Sequence, residues 1–533
     1  MNIGTYISRI GALALLLLPL AGCDDYLDIN ENPNSPTTAE LPLLLPVAES
    51  TLGFRMARTI NENTSVFARQ YYALAPSQYT QSPQSYNADF TGLMSGALKD
   101  LQVIIDQGTA EENYGYVGMA KVMKAYTYGV MVDLWGDLPF VQALQGDDGL
   151  FFPEYDDAAD IYTNLFALLD EGIADLERES PAVLNDLIYG GDKVLWIKAA
   201  NSIKLRLYLN LRLVDPGGAA AGINGIIGSD AYITDNDEDF QFQFGTSIAP
   251  ITRHPLHQQE YAGQASKGFY MSNYFMYKLI TKEDPRLPFY VYRQSDGSAL
   301  DFQTTPCSQR SDCPYGYLGT FIGPEAAGYV GRDHGDPSGI PGDGNLRATF
   351  GVYPIGGLYD DGDYDEALQS SNGGMGAGIM PMMTNFMGDF ILAEAALTLN
   401  VNGDPLDYLL EGVEASLRKV SALGVALDSD AEPISEEAME TYLQAVSIRY
   451  GEATSDAGRL NVIIEEKYFA QFGNGMEVYT DLRRTGMPND LPASIAPAAP
   501  FPLRLPYPST EINSNSGNVE QPPLTTPIFW DAN

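Results

Sequence analysis

The sequence predicts a mainly α fold, built of tetratricopeptide-like stacked helix pairs with a large loop-rich insertion carrying short strands. Three observations predict it. Apolar residues recur at helical spacing in consecutive stripes between Tyr116 and Leu211. From about 216 to 380 that period gives way to a stretch dense in Gly, Asp, Pro and Tyr, the composition of large loops. The helical period then returns between Phe390 and Phe472. With 533 residues, 45% of them hydrophobic, the chain has the apolar mass for a sizeable core, which excludes wholesale disorder.

The elements follow in order. Residues 1–22 carry one charge, Arg9, and then the apolar run Ile10 to Leu20, which reads as a secretory leader and is too short to span a bilayer. Leu20-Ala21-Gly22-Cys23 resembles the bacterial lipobox, which makes 1–22 a lipoprotein signal peptide and Cys23 an acylated N-terminus. Acyl chains contribute about 0.8 kcal/mol per buried CH₂, so multiple acylation anchors a soluble body that does not itself cross the membrane. Asp24, Asp25, Asp28 and Glu31 follow, an acidic stretch like the signal that sends some lipoproteins to the outer face of the outer membrane. Residues 23–40 form the lipidated tether, because the Asn and Pro of Asn30 to Pro36 resist helix and strand alike.

Residues 41–533 are expected to form a single domain with helical blocks at about 41–215 and 381–490 around the loop-rich region. The first block holds the stripes Tyr116-Met119-Met123-Tyr126-Val130-Leu134, Ile161-Leu165-Leu169-Ile173-Leu176 and Trp196-Ala200-Ile203-Leu207-Leu211. In the second block, helices are expected at Phe390–Leu399, Leu409–Leu423, Glu436–Tyr450 and Leu460–Phe472. Successive helices with short connections pack as antiparallel pairs. With Cys23 acylated, Cys307 and Cys313 remain; in an oxidising compartment so close a pair reads as a local disulfide. A metal site is the rival reading, but Cys-x₅-Cys has no second half nearby.

Charge sets limits on function. Thirty Lys+Arg against 70 Asp+Glu give −40, which excludes general nucleic-acid binding and charge-driven adhesion to an anionic membrane. Enzyme signatures are missing too: there are three His and no His-Glu-x-x-His, Walker loop or Gly-x-Ser-x-Gly. His254-x₂-His257-x₂-Glu260 has metal-ligand spacing, but Pro255 argues against a helix there. Asp333, His334 and Ser338 have triad composition within a Gly/Pro loop that offers no scaffold. Asp361-Gly-Asp-Tyr-Asp365-Glu366 reads as a solvated acidic loop more readily than as a Ca²⁺ site, since the glycine and distal glutamate of an EF-hand are misplaced. The expectation is no catalytic residue, no metal and no cofactor.

Several motifs share one order. Leu27-Asp-Ile-Asn-x-Asn-Pro-Asn-x-Pro36 follows the lipid cysteine, Trp135-Gly-Asp-Leu-Pro-Phe140 ends a strong helix, and Asp284-Pro-Arg-Leu287 lies in the insertion. Glu466-Lys-Tyr-x₃-Phe-x-Asn-Gly-x-Glu477 leads to Asp481-Leu-Arg-Arg484, and Arg504-x₂-Tyr-Pro-x₂-Glu511 closes the series. In this the chain resembles the SusD/RagB family of nutrient-binding outer-membrane lipoproteins, and Gly331-Arg-Asp-His-Gly-Asp-Pro-Ser-Gly339 resembles one branch of it. The resemblance implies a surface-exposed lipoprotein with four tetratricopeptide-like helix pairs and a loop-rich ligand face. It also implies a partner, a SusC-like TonB-dependent barrel transporter over which the protein closes as a lid. Where members often carry Trp, this chain has Tyr468 and Tyr479, and Tyr86-Asn-Ala-Asp-Phe90 replaces the Trp-rich sugar platform. The starch-type site therefore does not carry over residue by residue.

Read from the residues themselves, Trp135 to Phe140 is a helix stop and turn, and Arg483, Arg484 and Arg504 are expected to pair with carboxylates inside the fold. Aromatic side chains set among amides are the better pointer to a ligand, because ring faces stack on sugar C–H faces while amides bond hydroxyls. The candidates are Tyr79, Tyr86, Asn87 and Phe90 in a Gln/Ser/Asn-rich stretch, with Tyr270, Tyr274 and Tyr315 in the insertion. Packing of these rings on the helices beneath is the competing reading. The expected cargo is a neutral oligosaccharide, with a peptide as the alternative; a surface glycan hydrolase or esterase ranks last for want of a motif. Removing Arg9 with the leader leaves 29 basic against 70 acidic side chains, −41, a field that disfavours polyanions.

Overall fold

The computed structural model describes residues 39–261, 268–298, 307–309, 327–336, 346–364, 368–496 and 498–532. Cys23, Cys313, Tyr315, Ser338, Asp365 and Glu366 lie outside these residues, and so does the tether up to residue 38.

Helices dominate, and they pack as the apolar stripes require. The first block comprises α1 (Leu41–Met56), α2 (Thr59–Phe67), α3 (Lys99–Ala110), α4 (Tyr114–Trp135), α5 (Ala158–Glu177) and α6 (Lys193–Asn210). Helix α4 is apolar nearly all round, so it is the buried centre against which α3 and α5 pack. Helix α5 is amphipathic, and the Asp157 carboxylate caps it by accepting from the Ala159 amide at 2.9 Å. The second block runs through α8 (Asn385–Leu399), α9 (Pro405–Leu427), α10 (Glu436–Glu452), α11 (Asp456–Ala470) and α12 (Gly475–Thr485), numbering the helix Pro216–Ser229 as α7. Its pairs are α8 with α9 and α10 with α11; α6 packs on α8 and joins the blocks.

The insertion is more helical than expected: it also holds helices Asn273–Thr281 and Leu287–Tyr290, and two further departures have a clear local cause. Helix α7 occupies Pro-Gly-Gly-Ala-Ala-Ala-Gly-Ile-Asn-Gly-Ile-Ile-Gly-Ser, which its glycines had marked as loop. Proline at the first turn, the Asp215 carboxylate accepting from Gly218 N at 3.0 Å, and burial of Ala219, Ile223 and Ile226 outweigh the glycine propensity. Pro255 likewise opens a short helix, Pro255–Glu260, because proline at N1 lacks only an amide that has no partner in that turn. The strands are short and join distant segments in antiparallel pairs: Tyr71–Tyr72 with Tyr270–Met271, Phe240–Gln243 with Ile379–Met383, and Val291–Tyr292 with Thr349–Phe350.

Most of the charged motif residues serve as internal fasteners. Arg206 of α6 donates to Asp133 of α4 and Glu477 of α12, each at 2.6 Å. Arg286 pairs with Asp284 at 2.6 Å, and Tyr442 and Arg449 bring Glu466 into the same buried group. Arg484 pairs with Glu394 and Asp481 as expected. Arg483 also ties down backbone: its Nη1 donates to the carbonyls of Asp133 and Leu503 at 2.7 and 2.9 Å, with the guanidinium over the Tyr479 and Trp530 rings. One of those carbonyls belongs to the last turn of α4, which has no partner for it within the helix.

Candidate functional site

The aromatic residues singled out in the sequence are covered. Tyr86, Tyr270, Phe90, Tyr274 and Tyr79 retain 0, 1, 2, 3 and 9% exposure, so their ring faces do not meet solvent. Each is held by a partner within the protein. The Tyr86 hydroxyl accepts from Asn63 Nδ2 at 3.0 Å and donates to Gln81 Oε1 at 2.9 Å, while its ring meets Trp135 edge-on. Phe90 also packs edge-on against Trp135, centroids 5.4 Å apart. Tyr79 accepts from Arg69 Nη2 at 2.8 Å and packs against His334 and Phe501. Tyr274 donates to Asp490 Oδ1 at 2.6 Å, and the Tyr270 ring carries the guanidiniums of Arg332 and Arg347. Asn87 Nδ2 donates to Ser509 Oγ at 2.9 Å. The amides that suggested sugar contacts are largely spent inside the fold.

The other singled-out groups have structural partners too. His254 Nδ1 accepts from Leu256 N, and the His257 ring stacks on Tyr261 with centroids 4.6 Å apart. Burial pushes both imidazoles down to about 3, so they are neutral. Glu260 pairs with Arg347 at 2.7 Å, and no group of three potential metal ligands occurs among the described residues. Asp333 accepts from Asn273 Nδ2 at 3.0 Å and from Ser308 N at 2.8 Å. Cys307 is disulfide-bonded.

Trp135 to Phe140 is architectural, and it sets the root of a different loop. Trp135 Nε1 donates to Pro506 O at 2.9 Å, and Gly136 turns the chain with φ +86°, where a Cβ would stand 2.0 Å from Arg504 Nη2. Asp137 Oδ1 accepts from Ala158 N at 3.0 Å. Asp156 Oδ2 accepts from the amides of Phe140 and Val141 at 2.8 and 2.9 Å, closing the base of the loop 139–156. That loop carries Phe151 and Phe152, which are 70 and 61% exposed and are the only exposed aromatic side chains among the described residues.

Beside Phe151 lies an open concavity of about 340 Å³. Phe90 and Met94 line it from one side, Leu144 and Phe151 from the loop, and Lys99, Asp147 and Glu511 add charge. Met94 belongs to a π-helical turn, Gly92–Leu98, between the short helix Asn87–Thr91 and α3. Such turns are rare and concentrate at functional sites. Lys99 Nζ donates to Leu144 O at 3.1 Å and to Asp147 Oδ2 at 2.6 Å, pinning the loop to α3. Burial raises the Glu511 carboxyl above its ordinary range, against a hydrogen bond to Oε2 from Tyr155 Oη at 3.1 Å. The sequence signal for this site is a Phe-Phe pair in the stretch between Pro139 and Pro153.

Comparison with known proteins gives the site a context. Residues 33–312 match a family model described as SusD-like, starch-binding and associating with the outer membrane, and residues 373–525 match that of the SusD and RagB outer-membrane lipoproteins. The chain belongs to the SusD/RagB family. No curated protein sequence matches it. Among solved structures it is similar to a chitin-binding protein, at 21% identity and TM-score 0.70, covering 93% of this chain and 100% of that one. A SusD/RagB family protein of Bacteroides thetaiotaomicron is 22% identical with TM-score 0.70, covering 93 and 99%. A Bacteroidetes SusD-like protein is 17% identical with TM-score 0.71, covering 93 and 100%. At these identities the structures establish the fold: mainly α, with few short strands. Among the described residues no helix is long and apolar enough to cross a membrane.

Proposed function

We propose that this SusD-like protein is a lipoprotein on the outer face of the outer membrane, anchored through Cys23, that captures a soluble oligosaccharide and passes it to a SusC-like TonB-dependent transporter as its lid. It does no chemistry of its own. The observation that carries this reading is a lipobox cysteine at 23 directly upstream of a family match that begins at residue 33. The net charge supports a neutral cargo, since a polyanion approaches −41 through an unfavourable field that salt screens only beyond about 8 Å.

The test has two arms. Mild detergent extraction from native membranes at low salt should recover the protein with a large barrel partner, and Cys23→Ala should release it from the membrane fraction. Recovery of the protein alone, or membrane retention of the variant, contradicts the lid or the anchor respectively. Binding of the soluble body to a peptide library but to no neutral glycan would replace the carbohydrate with a peptide.

A further inference from the structure

Resting on that carbohydrate reading, we propose that the concavity beside Phe151 binds one pyranose ring of a neutral glycan. The Phe151 ring stacks on the C–H face of the sugar, and the Glu511 carboxylate accepts one of its hydroxyls. The volume, about 340 Å³, lies at the small end of the ~300–1,000 Å³ of ligand pockets, which suits one ring and not a buried chain.

Three independent features converge there. Apart from the adjacent Phe152, every other aromatic ring among the described residues is at least partly hidden, yet Phe151 stands open on the wall of this concavity. A flat exposed ring beside fixed polar groups is the surface a pyranose recognises, since one face of the sugar is apolar and its edge is hydroxylated. The concavity is also lined from a seven-residue π-helical turn, a rare backbone form found mostly where it shapes a site. The charged groups select by sign. Lys99 is engaged by Leu144 O and Asp147, so it offers little to an anion. Glu511 receives Tyr155 on Oε2, and among the described residues nothing donates to Oε1. An acceptor without a paired cation takes hydroxyl donors and repels sulfates and uronates.

The protein supplies its own reporter. Trp135, Trp196 and Trp530 are fully buried, so Phe151→Trp introduces the one open indole. The mature chain would be titrated with chitohexaose, cellohexaose, maltohexaose and mannohexaose, by calorimetry on wild type and by emission on Phe151→Trp. At least one hexasaccharide should give saturable heat, and the same one should shift the emission of the introduced indole with a matching Kd. Phe151→Ala should weaken that binding about fivefold or more, and Glu511→Gln by less, with melting temperatures unchanged. Heat that is equal for wild type and Phe151→Ala, with silent emission, overturns the site and leaves the carbohydrate reading standing. No heat with any of the four overturns the carbohydrate reading, and the site with it.

Discussion

Two aromatic segments of this protein meet opposite fates. Between Tyr71 and Phe90 the rings turn inward: Tyr71, Tyr72, Tyr79, Tyr86 and Phe90 are all buried, and Gln81, Asn63 and Arg69 bond the hydroxyls of Tyr86 and Tyr79. Between Pro139 and Pro153 the rings turn outward, and Phe151 and Phe152 stand in solvent. Both segments are loop-like in sequence, and the difference lies in what covers them. The first segment pairs with the Tyr270–Met271 strand and is overlaid by the C-terminal tail, where Ala499 N bonds Gln78 O and Ser509 bonds Asn87. The second is closed at its base by Asp156, and its rings reach past that closure. Ring content marks a segment as important, while the long-range covering decides whether it serves stability or binding.

The largest test of that contrast is at the ring behind the inward segment. Trp135 is fully buried, meets both Tyr86 and Phe90 edge-on, and donates to Pro506 O. Trp135→Ala should cost about 3–5 kcal/mol, combining a cavity with an orphaned carbonyl. Denaturant unfolding measures it. A loss below about 1 kcal/mol would show that the inward segment is not packed as described.

A buried acid gives the second test of the inward side. Glu49 on α1 is buried, accepts from Leu187 N at 2.9 Å and faces Asp186; burial and then that neighbour push its carboxyl up to about 10. Its folded value lies above the unfolded one, so its stabilising share is complete below about pH 4.5 and is lost as pH rises toward 10. Glu49→Gln keeps the shape and removes the titration. It should therefore be more stable than wild type at pH 8, on the order of 2–3 kcal/mol, with the gain vanishing near pH 4. Parallel thermal melts from pH 4 to 9 are the check, and a gain independent of pH would rule out a titrating Glu49.

Much of the fold was legible because helical periodicity is local. The stripes ending at Leu134, Leu176 and Leu211 fall on α4, α5 and α6, and the later stripes on α8 to α11. Helix α7 was missed because propensity is also local: its glycines argue for loop until Ala219, Ile223 and Ile226 find a surface to bury against. Pro255 misled in the same way, since its meaning depends on falling at N1 of a helix and not inside one. The site was the least legible part. Whether Tyr86 meets a sugar or instead Asn63, Gln81 and Trp135 depends on partners in other helices, which no window of sequence displays. No amide flanks Phe151 and Phe152 to mark them in the sequence, and their exposure depends on where other segments of the chain run.

The smallest expected effect is the one that separates the two segments most cleanly. If Phe151 and Phe152 contribute nothing to the core, replacing both by Ala should leave stability within about 0.5 kcal/mol of wild type, the ordinary range for exposed positions. Each side chain is more than half exposed, and folding gains little from apolar area that stays in water. Tyr86→Ala in the same background serves as the internal standard, because it empties a fully buried ring site and should cost several-fold more. Chemical denaturation of these variants beside wild type decides the matter. Should the double Phe variant fall as far as Tyr86→Ala, the outward rings would be packing residues, and exposure would no longer distinguish the binding segment from the structural one.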